Sequence, residues 1–165
     1  MDPRSETALS SVCPEFATKV RAASDALNAD GTFILVVSGL RSADEQNALY
    51  AQGRTTTGKI VTNAKAGQSM HNYGLAADIV PYTTGNSGQV NWNASTPQFQ
   101  HMVAAMKAQG LEWGGDWKGS LGDFDHFQLT ELPASPSIAM RTDYGAGPAD
   151  LSAIWDKATT GAYAV

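Results

Sequence analysis

The sequence of 165 residues holds one cysteine, Cys13, and only three histidines. A lone thiol cannot close a disulfide within the chain, so crosslinks play no part in the expected framework. Lysine and arginine total 11 against 16 acidic residues, a net charge of −5, and no basic run interrupts that balance. Nucleic acid and anionic membrane surfaces are therefore poor partners. Long apolar runs are missing too. The longest, Phe33 to Val37, falls far short of the ~20 residues needed to cross a bilayer, so no stable membrane insertion is expected. Met-Asp-Pro-Arg-Ser-Glu at the N-terminus lacks the basic-then-apolar pattern of a secretion signal. A protein made in the cytoplasm, and carried elsewhere only by another agent, is the expectation.

What is present fits an ordered globular chain: 42% hydrophobic and 16% charged residues. No repeat or composition shift marks a boundary, so residues 1–165 are read as one domain, large enough for its own core, and as a monomer. Residues 14–29 read as a helix, with Pro14 in its first turn and Phe16, Val20, Ala23 and Leu27 along one face. Thr32 to Val37 reads as a buried strand. Ser42-Ala-Asp-Glu45 is a capping box opening a second helix, which Gly53 closes. A short extended piece is expected at Ile60–Thr62, and a strand at Leu75–Val80 that Pro81 breaks. Residues 82–95 are loop-like. A third helix starts at Pro97 and stops at Gly110, strands are expected at Leu111–Trp113 and Phe124–Leu129, and a last helix near 148–158. Interspersed helices and short strands make an α+β domain.

Two strands carry polar groups where apolar ones belong. Asp78 stands in Ala-Ala-Asp-Ile-Val, and a carboxylate there must be paired, hydrogen-bonded or metal-bound, because burying it bare is too costly. In "GDFDHFQL", residues 122–129, alternation puts His126 and Gln128 on one face. If the two strands are neighbours, Asp78 and His126 project together, and His71, just before the bend at Gly74, closes over them. Two imidazoles and a carboxylate suit Zn²⁺ and leave a fourth position open for water, as in catalytic zinc sites. No HExxH helix occurs. The plainer readings are a packed histidine, and an Asp78 that pairs only with Arg41 or caps a turn. His101, on a helix, carries the plain reading alone.

"SGLRSADEQNALYAQGR", "GKIVTNAKAGQSMHNYGLAADI" and "EWGGDW…DFDHFQL" together resemble the M15 family of zinc peptidases, in its branch of phage L-alanyl-D-glutamate endopeptidases, over residues of about 34 to 130. The family signature S-x-H-x-x-G-x-A-x-D falls on Ser69, His71, Gly74, Ala76 and Asp78, and its D-x-x-H on Asp123 and His126. The resemblance implies a small α+β domain with a central antiparallel sheet flanked by helices, as in D-alanyl-D-alanine peptidases and the hedgehog signalling domain. It implies zinc held by His71, Asp78 and His126, with Asp123 as general base. Arg41 would anchor substrate or stabilise the transition state, and Ser69 would hydrogen-bond substrate near the metal. The implied activity is hydrolysis of the peptidoglycan stem peptide, most directly at L-Ala–D-Glu, by a phage endolysin acting on the cell wall in the periplasm after release. A D-alanyl-D-alanine carboxypeptidase or dipeptidase is the alternative within the family, and a zinc-bearing binding module the alternative outside catalysis. Asp125, beside His126, is expected on the opposite strand face. Asp123 is expected to be re-aimed by the glycine-rich loop that ends at Gly122.

Overall fold

Short polar side chains and prolines set where the helices begin. In the computed structural model, which describes residues 1–82, 89–118, 122–145 and 147–164, Asp2 accepts from the Arg4 and Ser5 amides to cap α1 (Pro3–Leu9). Pro14 opens α2 (Pro14–Ala29), and Phe16, Val20, Ala23 and Leu27 are all buried, as the periodicity predicts. After β1 (Phe33–Ser38), the Ser42/Glu45 capping box forms in full at the start of α3 (Ala43–Ala51). A 3-10 turn (Met70–Tyr73) leads into β2 (Ala76–Tyr82). Thr96 caps α4 (Pro97–Ala108), followed by β3 (Leu111–Trp113) and β4 (His126–Leu129). The chain closes with α5 (Ile138–Tyr144) and α6 (Ser152–Thr159).

The four strands form one antiparallel sheet in the order β1-β2-β4-β3. Helix α1 packs on β1, α2 on α4 and β1, and α4 on β2 and β3. The buried apolar side chains of these elements join into one core, with Phe16, Tyr73, Phe99 and Phe127 among its largest members. The α+β class and the central antiparallel sheet agree with the sequence reading.

Several elements depart from it. Pro81 does not break β2; it lies opposite Ile34 within the β1 ladder. Its carbonyl accepts from Asn91, so its ring nitrogen faces the same way, away from β1, on the side where the β4 pairing has already ended at Ala76–Asp78. The missing N–H is therefore not needed. Strand β4 begins at His126 rather than Phe124, because Phe124 and Asp125 form a turn whose Phe124 carbonyl accepts from the Trp113 indole at 2.6 Å. Ile60–Thr62 joins no strand, and Ile60 and Val61 are each 56% exposed. Helices α1 and α5 lie where none was expected. The expected loops at 82–95 and 114–123 fall partly at residues 83–88 and 119–121, outside the described residues.

Candidate metal and catalytic site

Strand register brings the first two polar groups together. Asp78 pairs directly with His126 across β2 and β4, so both side chains leave the same sheet face. His71 arrives from the 3-10 turn, which Ser69 caps through its hydroxyl and which Gly74 ends in the left-handed region at φ 62°. Glycine takes that conformation without steric cost, and the chain there reverses into β2. One donor atom from each of His71, Asp78 and His126 lies within 4.8 Å of the others.

The outer atoms of each group are already committed, and this decides which inner atoms face the gap. His71 Nδ1 lies 2.9 Å from the Gly39 carbonyl. A carbonyl only accepts, so Nδ1 carries the proton and Nε2 presents a lone pair toward Asp78 Oδ1 at 3.1 Å. His126 Nε2 sits 3.1 Å from Gln128 Oε1. The Gln128 amide is oriented by donating to the Leu132 and Pro133 carbonyls, so His126 Nε2 donates to it. His126 Nδ1 then faces Asp78 Oδ1 and Asp123 Oδ2, each at 3.9 Å. Asp78 Oδ2 accepts from Arg41 at 3.0 Å, leaving Oδ1 for the gap. Two imidazole lone pairs and a carboxylate oxygen aimed at one point repel unless a cation lies between them. A divalent metal fits this donor set.

Electrostatics agrees. Burial alone would raise the Asp78 carboxyl, but positive charge around it, on His71 and His126 when they are protonated and on Arg41, holds it below the usual carboxylate range. Burial, then the neighbouring His71 when it is charged, pushes His126 down, toward the neutral form that ligation needs.

The segment carrying Arg41 is laced to the His71 turn. The Arg41 amide donates to the His71 carbonyl at 3.0 Å, and the Arg41 carbonyl accepts from the buried Asn72 amide at 2.8 Å. The Arg41 guanidinium also donates to Ser38 and to the fully buried Gln46, which in turn donates to the Ala64 carbonyl. Ser38 stands opposite Asp78 just past a bulge in β1. Arg41 thus points into the fold rather than to a surface pair with Asp44 or Glu45. Asn72, Gln46 and Gln128 were not singled out from sequence as functional groups. Only Gln128 carried a signal, as an amide two residues from a candidate ligand on one strand face.

A cavity of about 430 Å³ opens over these groups, and Ser69, Asp123 and Asp125 also line it. Asp123 is half exposed, and its turn approaches Gly114 so closely that a Cβ there would sit 2.6 Å from the Asp123 carbonyl. The expectation that Asp125 faces away is wrong. Asp125 precedes the strand, so alternation does not govern it, and the residue lines the same cavity. Burial, with the charges of Asp78 and Asp123 adding, pushes it up to about 6.

The peptidase M15 family model described as D-alanyl-D-alanine carboxypeptidase matches residues 62–129. The peptidoglycan L-alanyl-D-glutamate endopeptidase CwlK of Bacillus subtilis (strain 168) is 38% identical over 121 residues, which cover 67% of this chain and 71% of that protein. The L-alanyl-D-glutamate peptidase of Listeria phage A118 is 28% identical over 101 residues, 61% of this chain and 31% of that one. Among solved structures, the Serratia marcescens L-Ala D-Glu endopeptidase ChiX aligns over 79% of this chain and 89% of its own, at 26% identity and a TM-score of 0.54. VanYB in complex with D-alanine-D-alanine aligns over 81% of this chain and 76% of its own, at 18% identity and a TM-score of 0.53, a likeness of fold alone.

Proposed function

From the membership of this chain in the M15 peptidase family, we propose that it is a zinc peptidase cleaving the L-Ala–D-Glu bond of the peptidoglycan stem peptide. The observation that carries the reading is the convergence of His71 Nε2, His126 Nδ1 and Asp78 Oδ1 on one point, each fixed by a partner on its far side. These three residues would hold the metal. When bound, zinc lowers the pKa of its water toward ~7 and polarises the scissile carbonyl.

The remaining work belongs to the chain. Asp123 Oδ2 accepts the proton of the attacking water and passes it to the departing amine of D-Glu. Its position on a turn at the cavity edge, half exposed, gives it access to both. Arg41 orients Asp78 so that one carboxylate oxygen is left free to hold a metal, and its charge favours the oxyanion that develops on the carbonyl. Ser69 lines the cavity two residues before His71 and offers a hydroxyl to the substrate backbone. The substrate is acidic while the chain is net negative, so this local cation matters for binding. We take residues 1–165 as one monomeric peptidase domain of endolysin type, acting on the cell wall. No described helix is long and apolar enough to cross a membrane.

The description of the matching family model favours a second reading, release of D-Ala from the far end of the same peptide. Mass spectrometry of digested peptidoglycan separates them. New D-Glu amino termini are expected, dependent on metal and restored by zinc after chelation. Release of D-Ala with L-Ala–D-Glu intact would replace the first reading by the second. Undiminished hydrolysis by metal-free protein would overturn both.

A further inference from the structure

Beside the catalytic cavity lies a second one, of about 390 Å³, walled by Trp92, Trp113 and Phe124, with Asn93, Ser95 and Gln100 at its edge. Its size falls in the range of small-molecule sites, ~300–1,000 Å³. Trp92 is 55% exposed and Phe124 43%, an unusual outlay of aromatic surface to water in an 8% aromatic chain. Trp113 and Phe124 stand with ring centroids 6.0 Å apart. The polar groups are oriented. Gln100 Nε2 donates to the Ala94 carbonyl at 2.7 Å, which turns its Oε1 to act as an acceptor. Asn93 Oδ1 accepts from the Ser95 amide, which makes Nδ2 its donor.

Aromatic faces rimmed by amides and a hydroxyl match one chemistry well. A pyranose presents C–H bonds over its face, which stack on the negative face of an aromatic ring, and hydroxyl or acetamido groups around its edge, which the amides can bond. A nucleobase would stack as well, but the net charge of −5 opposes a polyphosphate strand. We infer that this cavity binds an N-acetylated amino sugar of the glycan strand that carries the stem peptide. The inference rests on the peptidoglycan reading above.

Covalent geometry supports it. The stem peptide starts on the lactyl group of its sugar, and L-Ala is its first residue. The scissile carbonyl is therefore one lactyl unit and one residue from the ring, and an extended residue spans only ~3.3–3.6 Å. A sugar that stays bound during cleavage must sit immediately beside the catalytic cavity. Successive residues of one turn line the two cavities: Asp123 and Asp125 the catalytic one, and Phe124 between them the aromatic one. The Trp113 indole, bonded to the Phe124 carbonyl, holds that turn in place.

The test uses the zinc-loaded full chain and its Trp92→Ala variant, a substitution at an exposed ring distant in sequence from the proposed catalytic residues. Fluorescence or ligand-detected NMR titration with the tetramer of N-acetylglucosamine should saturate for wild type and not for the variant, while maltotetraose should fail with both. On glycan-linked peptidoglycan fragments the variant should show a KM raised roughly tenfold, as for loss of an interface tryptophan. On a glycan-free peptide containing L-Ala–D-Glu the two proteins should match. Absence of saturable binding by wild type, equal binding of maltotetraose, or an equal loss on both substrates with matching melting temperatures would overturn the proposal. If wild type cleaves neither substrate, the peptidase reading fails, and the titration alone decides the sugar site.

Discussion

Two charged clusters occupy opposite ends of this chain's logic. At the sheet, His71, Asp78 and His126 crowd together with each outer atom bonded and each inner atom aimed at a shared gap. Between α5 and α6, Asp143 accepts from Lys157 Nζ at 2.8 Å and from the Tyr163 hydroxyl. There the carboxylate, the cation and the phenol answer one another. In the first cluster buried donor atoms converge on one point; in the second, nearer the surface, the groups bond one another directly. Burial explains the difference in consequence. Buried lone pairs that converge are costly unless a cation joins them, whereas a pair nearer the surface contributes little.

The largest test removes a member of the buried cluster. His71→Ala, His126→Ala or Asp78→Asn should each abolish stoichiometric metal binding, and hydrolysis should fall to background. Elemental analysis beside an assay of released amino groups measures both. Retention of full metal content by any two of the three would break the contrast between the clusters. Next in size is the comparison of the two aspartates in the turn. Asp123→Asn should keep metal and fold yet lose ~10²–10⁴-fold in turnover, the usual cost of a general base. Asp125→Asn, assayed on the same peptidoglycan, should lose much less. A dead Asp125→Asn beside an active Asp123→Asn would reverse the assignment, and since both residues line the cavity the measurement is a fair contest.

A third test asks how much the outer bonds matter. Gln128 fixes which nitrogen of His126 carries the proton. Gln128→Leu keeps the volume and removes that bond, so metal affinity should fall ~10–100-fold with the sheet intact by circular dichroism. Unchanged affinity would mean that His126 needs no partner to present its lone pair.

How much of this was legible in the sequence follows from the same physics. Asp78 and His126 stand out because each interrupts an apolar strand, but their shared face follows only if the two strands are neighbours, which the β2–β4 pairing supplies. The capping box at Ser42 and the prolines at 14 and 97 mark helix starts by local chemistry alone. Long-range bonds leave no such mark. Nothing near Gln46 in sequence announces that it links Arg41 to the Ala64 carbonyl, and nothing near Asn72 announces Arg41. Asp125 was misplaced because alternation was applied one residue before the strand begins. Helix α1 had a readable start, Asp2 followed by Pro3, but α5 did not. Its seven residues bury only Met140 and Tyr144 and leave Ile138 76% exposed, too faint an apolar face to detect. The second cluster therefore rests on an element that only tertiary packing defines.

The smallest expected effect belongs to that cluster. The Lys157 hydrogen bond first, and then Tyr163, hold the Asp143 carboxyl below the ordinary carboxylate range. A lowered folded pKa means that the unfolded chain binds the proton more readily, so the pair's contribution is present above the ordinary value and is lost as pH falls through the folded one. Tyr163 runs the other way. Burial, then Asp143, raises its phenol, so that contribution is present below the ordinary phenol range and fades as pH rises through it. Between these limits Asp143→Asn should lower the melting temperature only slightly, with peptide hydrolysis and metal content unchanged. Once pH falls below the lowered folded value, where the carboxylate is protonated in the folded chain as well, wild type and variant should converge. Thermal melts of both proteins at neutral and acid pH read the difference directly. A gap that stayed constant into acid would mean that Asp143 acts through packing rather than charge. A loss of hydrolysis would mean that the surface cluster is coupled to the site, and the two clusters would no longer be opposites.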